Sequence, residues 1–395
     1  MRCTITRTAE IPDQYKLARY SRAPELGPRL LFFSGGSAAR DLSAILPGYT
    51  HNSIHLMTAF DSGGSSAVIR KAFSMLSVGD LRARLMSLAD QTVTGAPHIF
   101  RLFAFRFPAT QDNNALLVRL KDMIDGEDPL VAAIEEPMRN IICSHLHYFH
   151  RKMPQGFDLR GASIGNLILA GGFLNNNRNI NPVLFLFSKL VEVRGHVRPV
   201  TDGFYHLGAH LGDGTTVVGQ HLLTGKEVAP ITAPIARLFL SEDGTSEMAV
   251  PPPAAAKIPP LLGDAECIVY SHGSYYTSIL ANLLPGGIGK AIARSGAPKV
   301  YIPSMGVDPE QLGMTLSSSV AGILAALRRD CPEAATPDLL NIIIIDSRSG
   351  TYGVPLDTTA VREMGITVLD LPLVTEQSSP WPDPKILAQT LLSLT

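Results

Sequence analysis

The sequence lacks paired cysteines and a strong net charge. Its four cysteines, Cys3, Cys143, Cys267 and Cys331, include no CxxC pair, so neither a cysteine zinc site nor a disulfide framework is indicated. Lys and Arg number 34 against 35 Asp and Glu, which leaves a net charge of -1 and no overall field to attract nucleic acid or an anionic membrane. We therefore expect a cytoplasmic protein with no nucleic-acid or membrane partner, in which any anion is bound locally.

Long apolar runs are also missing. No uninterrupted run reaches the roughly 18 to 20 residues that a membrane-spanning helix requires. The intensely apolar "LNIIIID" (340–346) is short and is predicted to be a buried central strand. The first 20 residues mix charges without an apolar core region, which predicts no signal peptide.

The standard nucleotide and zincin motifs are absent as well. "SGGSAARD" (34–41) has no GxGxxG, and "LPGGIGKAI" (284–292) lacks the early glycine and the Ser/Thr of a P-loop. In "HLHYFH", His147 and His150 would share a helix face while His145 would not, and no acid with zincin spacing accompanies them. A partly exposed helix end explains these histidines better than a metal site.

What is present is a rhythm of short apolar strands, polar loops and helices. "RLLFF" (29–33), "SIHLMTAF" (53–60), "CIVY" (267–270), "KVYIP" (299–303) and "LNIIIID" predict the strands of an α/β fold. Each half of the chain has too few strands for a covered parallel sheet, so both halves should contribute to one mostly parallel sheet.

The same pass predicts the organisation of the chain. Residues 1–28 are expected to be an N-terminal extension and residues 29–395 a single α/β domain. Within it we expect a helical insert at about 113–150, a small antiparallel β piece at about 195–240 and a Pro/Ala linker at 249–260.

Four glycine- and serine-containing loops carry the functional signal: "SGGSAA" (34–39), "DSGGSS" (61–66), "GASIGN" (161–166) and "SHGSYYTS" (271–278). Helix N-termini offer unpaired N–H groups, glycine allows close backbone approach and hydroxyls add donors, which together suit a phosphate. For any single loop, a plain turn with a serine cap is the better explanation. Four such loops at the carboxyl ends of strands favour a phosphorylated ligand.

Asp61 is the acid of greatest interest because it ends a predicted strand beside such a loop. Its carboxylate could hold Mg²⁺ or take a proton from an attacking hydroxyl, or it could simply cap the next helix. Arg70, further along that helix, could reach a phosphate, although an exposed helical arginine is the commoner explanation.

The order and content of these loops resemble the 2-phospho-L-lactate transferase (CofD-like) superfamily, which includes gluconeogenesis-factor-like proteins that bind UDP-sugars. The resemblance runs from about residue 30 to 346 and rests on "SGGSA", the segment beginning "DSGGSS", "GASIGNLILAGGF", "VRGHVRPVTD", "DGTTVVGQ", the segment beginning "GSYYTS" and "KVYIPSM". It implies a Rossmann-like three-layer α/β/α fold, a homodimer, and a bound nucleotide diphosphate derivative of GDP or UDP type with Mg²⁺. In the transferase branch, in-line attack of a hydroxyl on a phosphate transfers a phospholactyl-type group.

Carried over residue by residue, the resemblance implies a site. Asp61 would be catalytic and bind the metal. The nucleotide and its phosphates would contact Gly35, Gly36, Ser37, Gly63, Gly64, Ser65, Ser66, Arg70, Gly165, Asn166, Gly273, Ser274, Tyr276, Thr277 and Ser278.

This chain departs from the gluconeogenesis-factor pattern at Ser62, where a second aspartate is usual, and at His272, which stands inside the fourth loop. Retention of Asp61 favours a transferase; the missing second acid favours a non-catalytic nucleotide-sugar-binding regulator. A purely structural role would leave the clustering of the loops unexplained.

Overall fold

A seven-stranded parallel sheet forms the centre of the molecule in the computed structural model, which describes residues 8–90 and 96–395. Its order is β10-β9-β8-β7-β1-β2-β3, and every neighbouring pair is parallel. A second, antiparallel sheet has the order β5-β4-β6. The strands are β1 (Leu30–Ser34), β2 (Ile54–Met57), β3 (His196–Pro199), β4 (His206–Leu211), β5 (Thr216–Val218), β6 (Ile235–Ser241), β7 (Cys267–Tyr270), β8 (Lys299–Tyr301), β9 (Ile342–Ile345) and β10 (Thr367–Asp370).

Helices pack on both faces of the large sheet. Along β1, Leu31 and Phe33 join one apolar cluster while Leu30 and Phe32 join another, so this strand is buried on both sides. Such two-sided burial explains why the strand reads as a continuous apolar run. The α-helices are α1 (Gln14–Arg22), α2 (Arg40–Ile45), α3 (Gly64–Phe73), α4 (Gly79–Leu88), α5 (Pro97–Ala104), α6 (Asn113–Asp125), α7 (Pro129–Ala132), α8 (Met138–Lys152), α9 (Ile164–Asn175), α10 (Ile180–Leu190), α11 (Gln220–Leu223), α12 (Ile258–Asp264), α13 (Ile288–Arg294), α14 (Leu316–Arg328), α15 (Thr336–Leu339), α16 (Thr358–Glu363) and α17 (Pro384–Ser393).

The strand order reverses between β1 and β7. From β1 the chain moves outward through β2 to β3, and from β7 it moves in the other direction through β8 and β9 to β10. Ligands of open α/β sheets bind at such a switch point, beyond the carboxyl ends of the strands. The loops that follow β1, β2 and β7 are three of the four singled out in the sequence, and all leave the sheet at this edge.

The predicted α/β class is therefore confirmed, with a mostly parallel sheet, helical layers and a small antiparallel piece. One boundary differs: the antiparallel piece was expected from about residue 195, yet His196–Pro199 pairs in parallel with β2, and the antiparallel sheet begins at His206. In an edge strand that is buried on one face, apolar and polar residues alternate with period two in both parallel and antiparallel sheets. The hydrophobic pattern alone therefore does not distinguish the two kinds of pairing.

Two further segments are more ordered than their composition indicates. The first helix, α1, packs on α17, where Lys16 Nζ donates to the Ser393 carbonyl at 3.0 Å and Tyr20 contacts Thr395. The Pro/Ala linker ends inside α12, whose first turn contains two prolines, a position that tolerates the missing N–H. Cys3 and the start of the N-terminal segment lie outside the described residues.

Across the described ranges, no helix has both the length and the apolar character needed to cross a membrane.

Candidate functional site

A cavity of about 740 Å³ opens at the carboxyl edge of the sheet, beside the switch point. This volume suits a small-molecule ligand. All four glycine- and serine-containing loops contribute to its wall. The sequence-predicted residues that line it are Gly35, Gly36, Ser37, Asp61, Gly63, Gly64, Ser65, Ser66, Asn166, Ser274, Thr277 and Ser278.

Arg70 does not line the cavity. Only 3% of it is exposed, and its guanidinium donates to the carbonyls of Phe60 at 2.8 Å, Asp61 at 3.2 Å and Met75 at 3.3 Å, and to that of Tyr205. Burial lowers the Arg70 pKa to about 10. This arginine links the loop after β2 to the start of the antiparallel sheet. It neither lines the cavity nor is exposed on its helix, which were the two alternatives that the sequence left open.

The first loop is held from below by a buried cation. Arg84, which has no exposed surface, donates to the carbonyls of Gly35 at 2.9 Å and Ala39 at 2.7 Å and to the hydroxyls of Ser34 and Ser43. Burial lowers its pKa to about 10. A guanidinium that satisfies several acceptors of one short loop fixes the shape of that loop.

In the fourth loop, three backbone N–H groups donate to carboxylates of the protein itself. The Tyr275 N–H donates to Asp308 at 2.7 Å, and the N–H groups of Tyr276 and Thr277 donate to Glu310 at 2.9 and 2.8 Å. Glu310 is 1% exposed, and burial together with the nearby Asp308 charge raises its pKa to about 7. These three N–H groups are thus paired within the protein, and the loop presents Ser274, Thr277 and Ser278 to the cavity.

Two other predicted residues of this loop lie behind that surface. The Gly273 N–H donates to Ser304 Oγ at 2.9 Å, and the Tyr276 hydroxyl donates to the Ile235 carbonyl at 3.0 Å. Neither residue lines the cavity.

Asp61 lines the cavity together with a second acid, Asp80. The local sequence of Asp80, at the start of a helix, indicates only a helix cap. The Gly63 N–H donates to Asp61 Oδ1 at 3.1 Å, and the Thr58 hydroxyl donates to Asp80 Oδ2 at 3.3 Å. Asp80 occupies the first turn of α4 and lies so close to Gly36 that a Cβ there would overlap its carboxylate. Burial, and then the charge of Asp61, raise the Asp80 pKa to about 7. Asp80, in the first turn of α4, thus lies close enough to Asp61 of the loop after β2 to be affected by its negative charge.

The antiparallel sheet supplies a further wall through α11 and the turn after it. Ser62 Oγ lies 2.8 Å from His221 Nδ1 and also accepts the His221 backbone N–H at 3.2 Å. His221, Lys226 and Glu227 line the cavity, and Glu227 packs against Gly63. These contacts join residues about 160 positions apart, so no local sequence signal reveals them.

The arginines Arg82 and Arg106 also line the cavity and were not singled out in the sequence. Gly165 does not line it but packs against Arg82, since a Cβ at this position would lie 2.7 Å from Arg82 Cδ. Its neighbour Asn166 reaches the cavity and donates to Ser65 Oγ at 3.2 Å.

Comparison with known families and proteins agrees with this architecture. The family described as 2-phospho-L-lactate transferase CofD matches residues 30–374. A protein named gluconeogenesis factor from Listeria monocytogenes is 30% identical over 286 residues, which cover 71% of this chain and 68% of that protein. A putative gluconeogenesis factor from a Nostoc species is 26% identical over 379 residues, 93% of this chain and 68% of that protein.

A solved structure shows the same fold. The crystal structure of a member of the upf0052 family from Bacillus halodurans superposes with a TM-score of 0.66 at 23% identity, covering 93% of this chain and 99% of that one.

Proposed function

The chain belongs to the 2-phospho-L-lactate transferase CofD family, and on that premise we propose that it binds a nucleotide diphosphate derivative and transfers a phosphorylated group to a hydroxyl acceptor. The observation that carries the proposal is the carboxylate pair Asp61 and Asp80, which faces one cavity together with the glycine- and serine-rich loops. Asp80 would therefore supply the second carboxylate that Ser62 does not.

The carboxylate pair fits a divalent cation. The charge of Asp61 contributes to the raised pKa of Asp80, and a bound cation would offset that repulsion. No group of three or more His, Cys, Asp or Glu that could hold a metal occurs in the part of the chain that the structure describes. Mg²⁺ is commonly held by one or two carboxylates and completes its coordination with water and substrate phosphates. Asp61 and Asp80 would hold it, and the ion would neutralise charge on the reacting phosphates.

The protein's own groups would bind and orient the diphosphate. The hydroxyls of Ser37, Ser65 and Ser66 and the glycines of the first two loops border the space where a diphosphate would lie. In the proposed step the acceptor oxygen forms a bond to phosphorus, the bond to the leaving nucleoside monophosphate breaks with its electron pair, and a carboxylate of the pair receives the hydroxyl proton.

Thermal shift and isothermal titration calorimetry with GDP, UDP, UDP-glucose and NAD, each with and without Mg²⁺, test the proposal. A diphosphate at 100 times its Kd should stabilise the fold by about 2.7 kcal/mol. Asp61→Asn and Asp80→Asn should each remove the effect of Mg²⁺, while Asp41→Asn, at another acid lining the same cavity, should retain it. Absence of stabilisation by every diphosphate would refute the proposal.

A nucleotide-sugar-binding regulator is the second candidate, favoured by the uncharged Ser62 and by relatives named gluconeogenesis factor. Under this alternative, UDP-glucose binds without Mg²⁺ and binds equally well to Asp61→Asn. The same titrations therefore separate the two candidates.

A further inference from the structure

Arg82 and Arg106 bring two guanidinium groups to one corner of the cavity. Arg82 projects from α4 and donates to the Phe103 carbonyl at 3.1 Å, while Arg106, at the rim, donates to Ser65 Oγ at 3.3 Å and to the Gly161 carbonyl. Both arginines are thus held in place by neutral acceptors.

Within the described part of the chain, neither positive charge is paired with an acid. Among residues 8–90 and 96–395, the ion pairs involve other arginines, lysines and histidines and include neither Arg82 nor Arg106. Both arginines reach the same corner, because Gly165 packs against Arg82 while its neighbour Asn166 and Arg106 both donate to Ser65 Oγ. Like charges in a recess are costly, and an oxyanion that accepts from both would remove that cost.

The corner also contains unused hydrogen-bonding groups. Arg82 Nε is buried and has no partner, and the same holds for Oδ1 of Asn166, a residue that is 1% exposed. Buried polar atoms are rarely left without partners, so this corner is incomplete by itself. Gly165 keeps it open, because a side chain there would push Arg82 out of place.

We propose that Arg82 and Arg106 form an oxyanion subsite that binds a phosphate or carboxylate group of the ligand, distinct from the cation-binding pair Asp61 and Asp80. The inference rests on the proposed function in so far as the ligand is a nucleotide diphosphate derivative. It adds that an oxyanion of this ligand lies at the guanidinium corner, where planar N–H groups can donate to its oxygens in a two-pronged arrangement.

Calorimetry on the full chain tests the subsite with four probes in Mg²⁺: pyrophosphate, UDP, UDP-glucose and UDP-glucuronic acid. Arg82→Gln and Arg106→Gln each remove a guanidinium, and Arg101→Gln, at an exposed arginine of α5 outside the cavity wall, is the matched control. Charged hydrogen bonds of this type contribute about 1.5 to 3 kcal/mol, so each site variant should weaken binding by about 10-fold or more. Arg82→Lys, which retains a cation, should recover part of the loss, and circular dichroism melts report whether each variant folds.

The probes identify the group that is bound. Weakening of all four probes places a phosphate of the diphosphate at the arginines, whereas weakening confined to UDP-glucuronic acid places a carboxylate there. Affinities within about twofold of wild type for every probe in both Gln variants, or equal loss in Arg101→Gln, would overturn the subsite. If no nucleotide binds wild type while pyrophosphate does, and Arg106→Gln loses it, the subsite stands and the proposed function falls.

Discussion

Ser62 Oγ accepts the backbone N–H of His221 at 3.2 Å and lies 2.8 Å from the Nδ1 atom of the same residue. One small side chain thereby fastens α11 to the loop that carries Asp61. Position 62, where the family resemblance leads us to expect an aspartate, instead joins a wall of the cavity to the loop that carries its acid.

Ser62→Ala should loosen that wall. Both hydrogen bonds are lost, so hydrogen exchange in residues 219–227 should increase and the Kd for a Mg²⁺-nucleotide diphosphate should rise by about 3- to 10-fold. Ser317→Ala, which removes a serine hydroxyl bonded to Asp357 far along the chain, is the control. Unchanged exchange in 219–227 would show that α11 is held by its other contacts.

Asp80→Asn should raise stability while removing Mg²⁺-dependent binding. The substitution keeps an oxygen for the Thr58 hydroxyl but ends the repulsion between two recessed carboxylates. We expect a gain of about 1 to 2 kcal/mol in the free energy of unfolding at pH 7.5, measured in urea without metal. A variant that is less stable than wild type would mean that Asp80 is balanced by a neighbour that outweighs Asp61.

Arg70→Met should affect folding more than ligand binding. Four backbone carbonyls lose their donor, and a loss of about 2 to 4 kcal/mol in the free energy of unfolding is expected. Because Arg70 does not line the cavity, the folded fraction should bind diphosphates within about threefold of wild type. A much larger loss of affinity would restore Arg70 as a phosphate ligand.

Glu310 makes stability depend on pH. Its pKa in the folded state, about 7, lies above the usual value of about 4.3 in an unfolded chain, so the folded state holds the proton more tightly. The stability that the neutral group contributes is complete below about pH 4 and is lost as the pH rises through 7. Between pH 5 and 8, wild type should lose about 2 kcal/mol more than Glu310→Gln in urea unfolding. Glu333→Gln, at an exposed acid, should follow wild type.

Much of the fold could be predicted because its signals are local. The strand from Leu30 has an unbroken apolar run, and the glycine and serine clusters that follow the strands mark their carboxyl ends. Strand β10 (Thr367–Asp370) was not predicted. It lies at the edge of the large sheet, its apolar and polar residues alternate weakly, and its side chains are exposed or half-buried.

The site was predictable only in part. Three of the four glycine- and serine-rich loops follow parallel strands, so their clustering follows from the fold class. Asp80 follows a glycine at the start of a helix, which locally indicates a cap, and its approach to Asp61 depends on the packing of α4 against the sheet. The sequence also carries no sign that certain backbone N–H groups of the fourth loop are already paired. Their carboxylate partners lie about 33 residues further along the chain from Tyr275, Tyr276 and Thr277.

The contact between Gly36 and Asp80 also constrains how this chain can diverge. A Cβ at position 36 would overlap the carboxylate at position 80, so the two positions are not free to vary independently. A side chain at position 36 would require the Asp80 carboxylate to move, and this would alter the arrangement proposed to hold the metal. Joint variation at 36 and 80 would therefore mark, across relatives, the branches that have given up this chemistry.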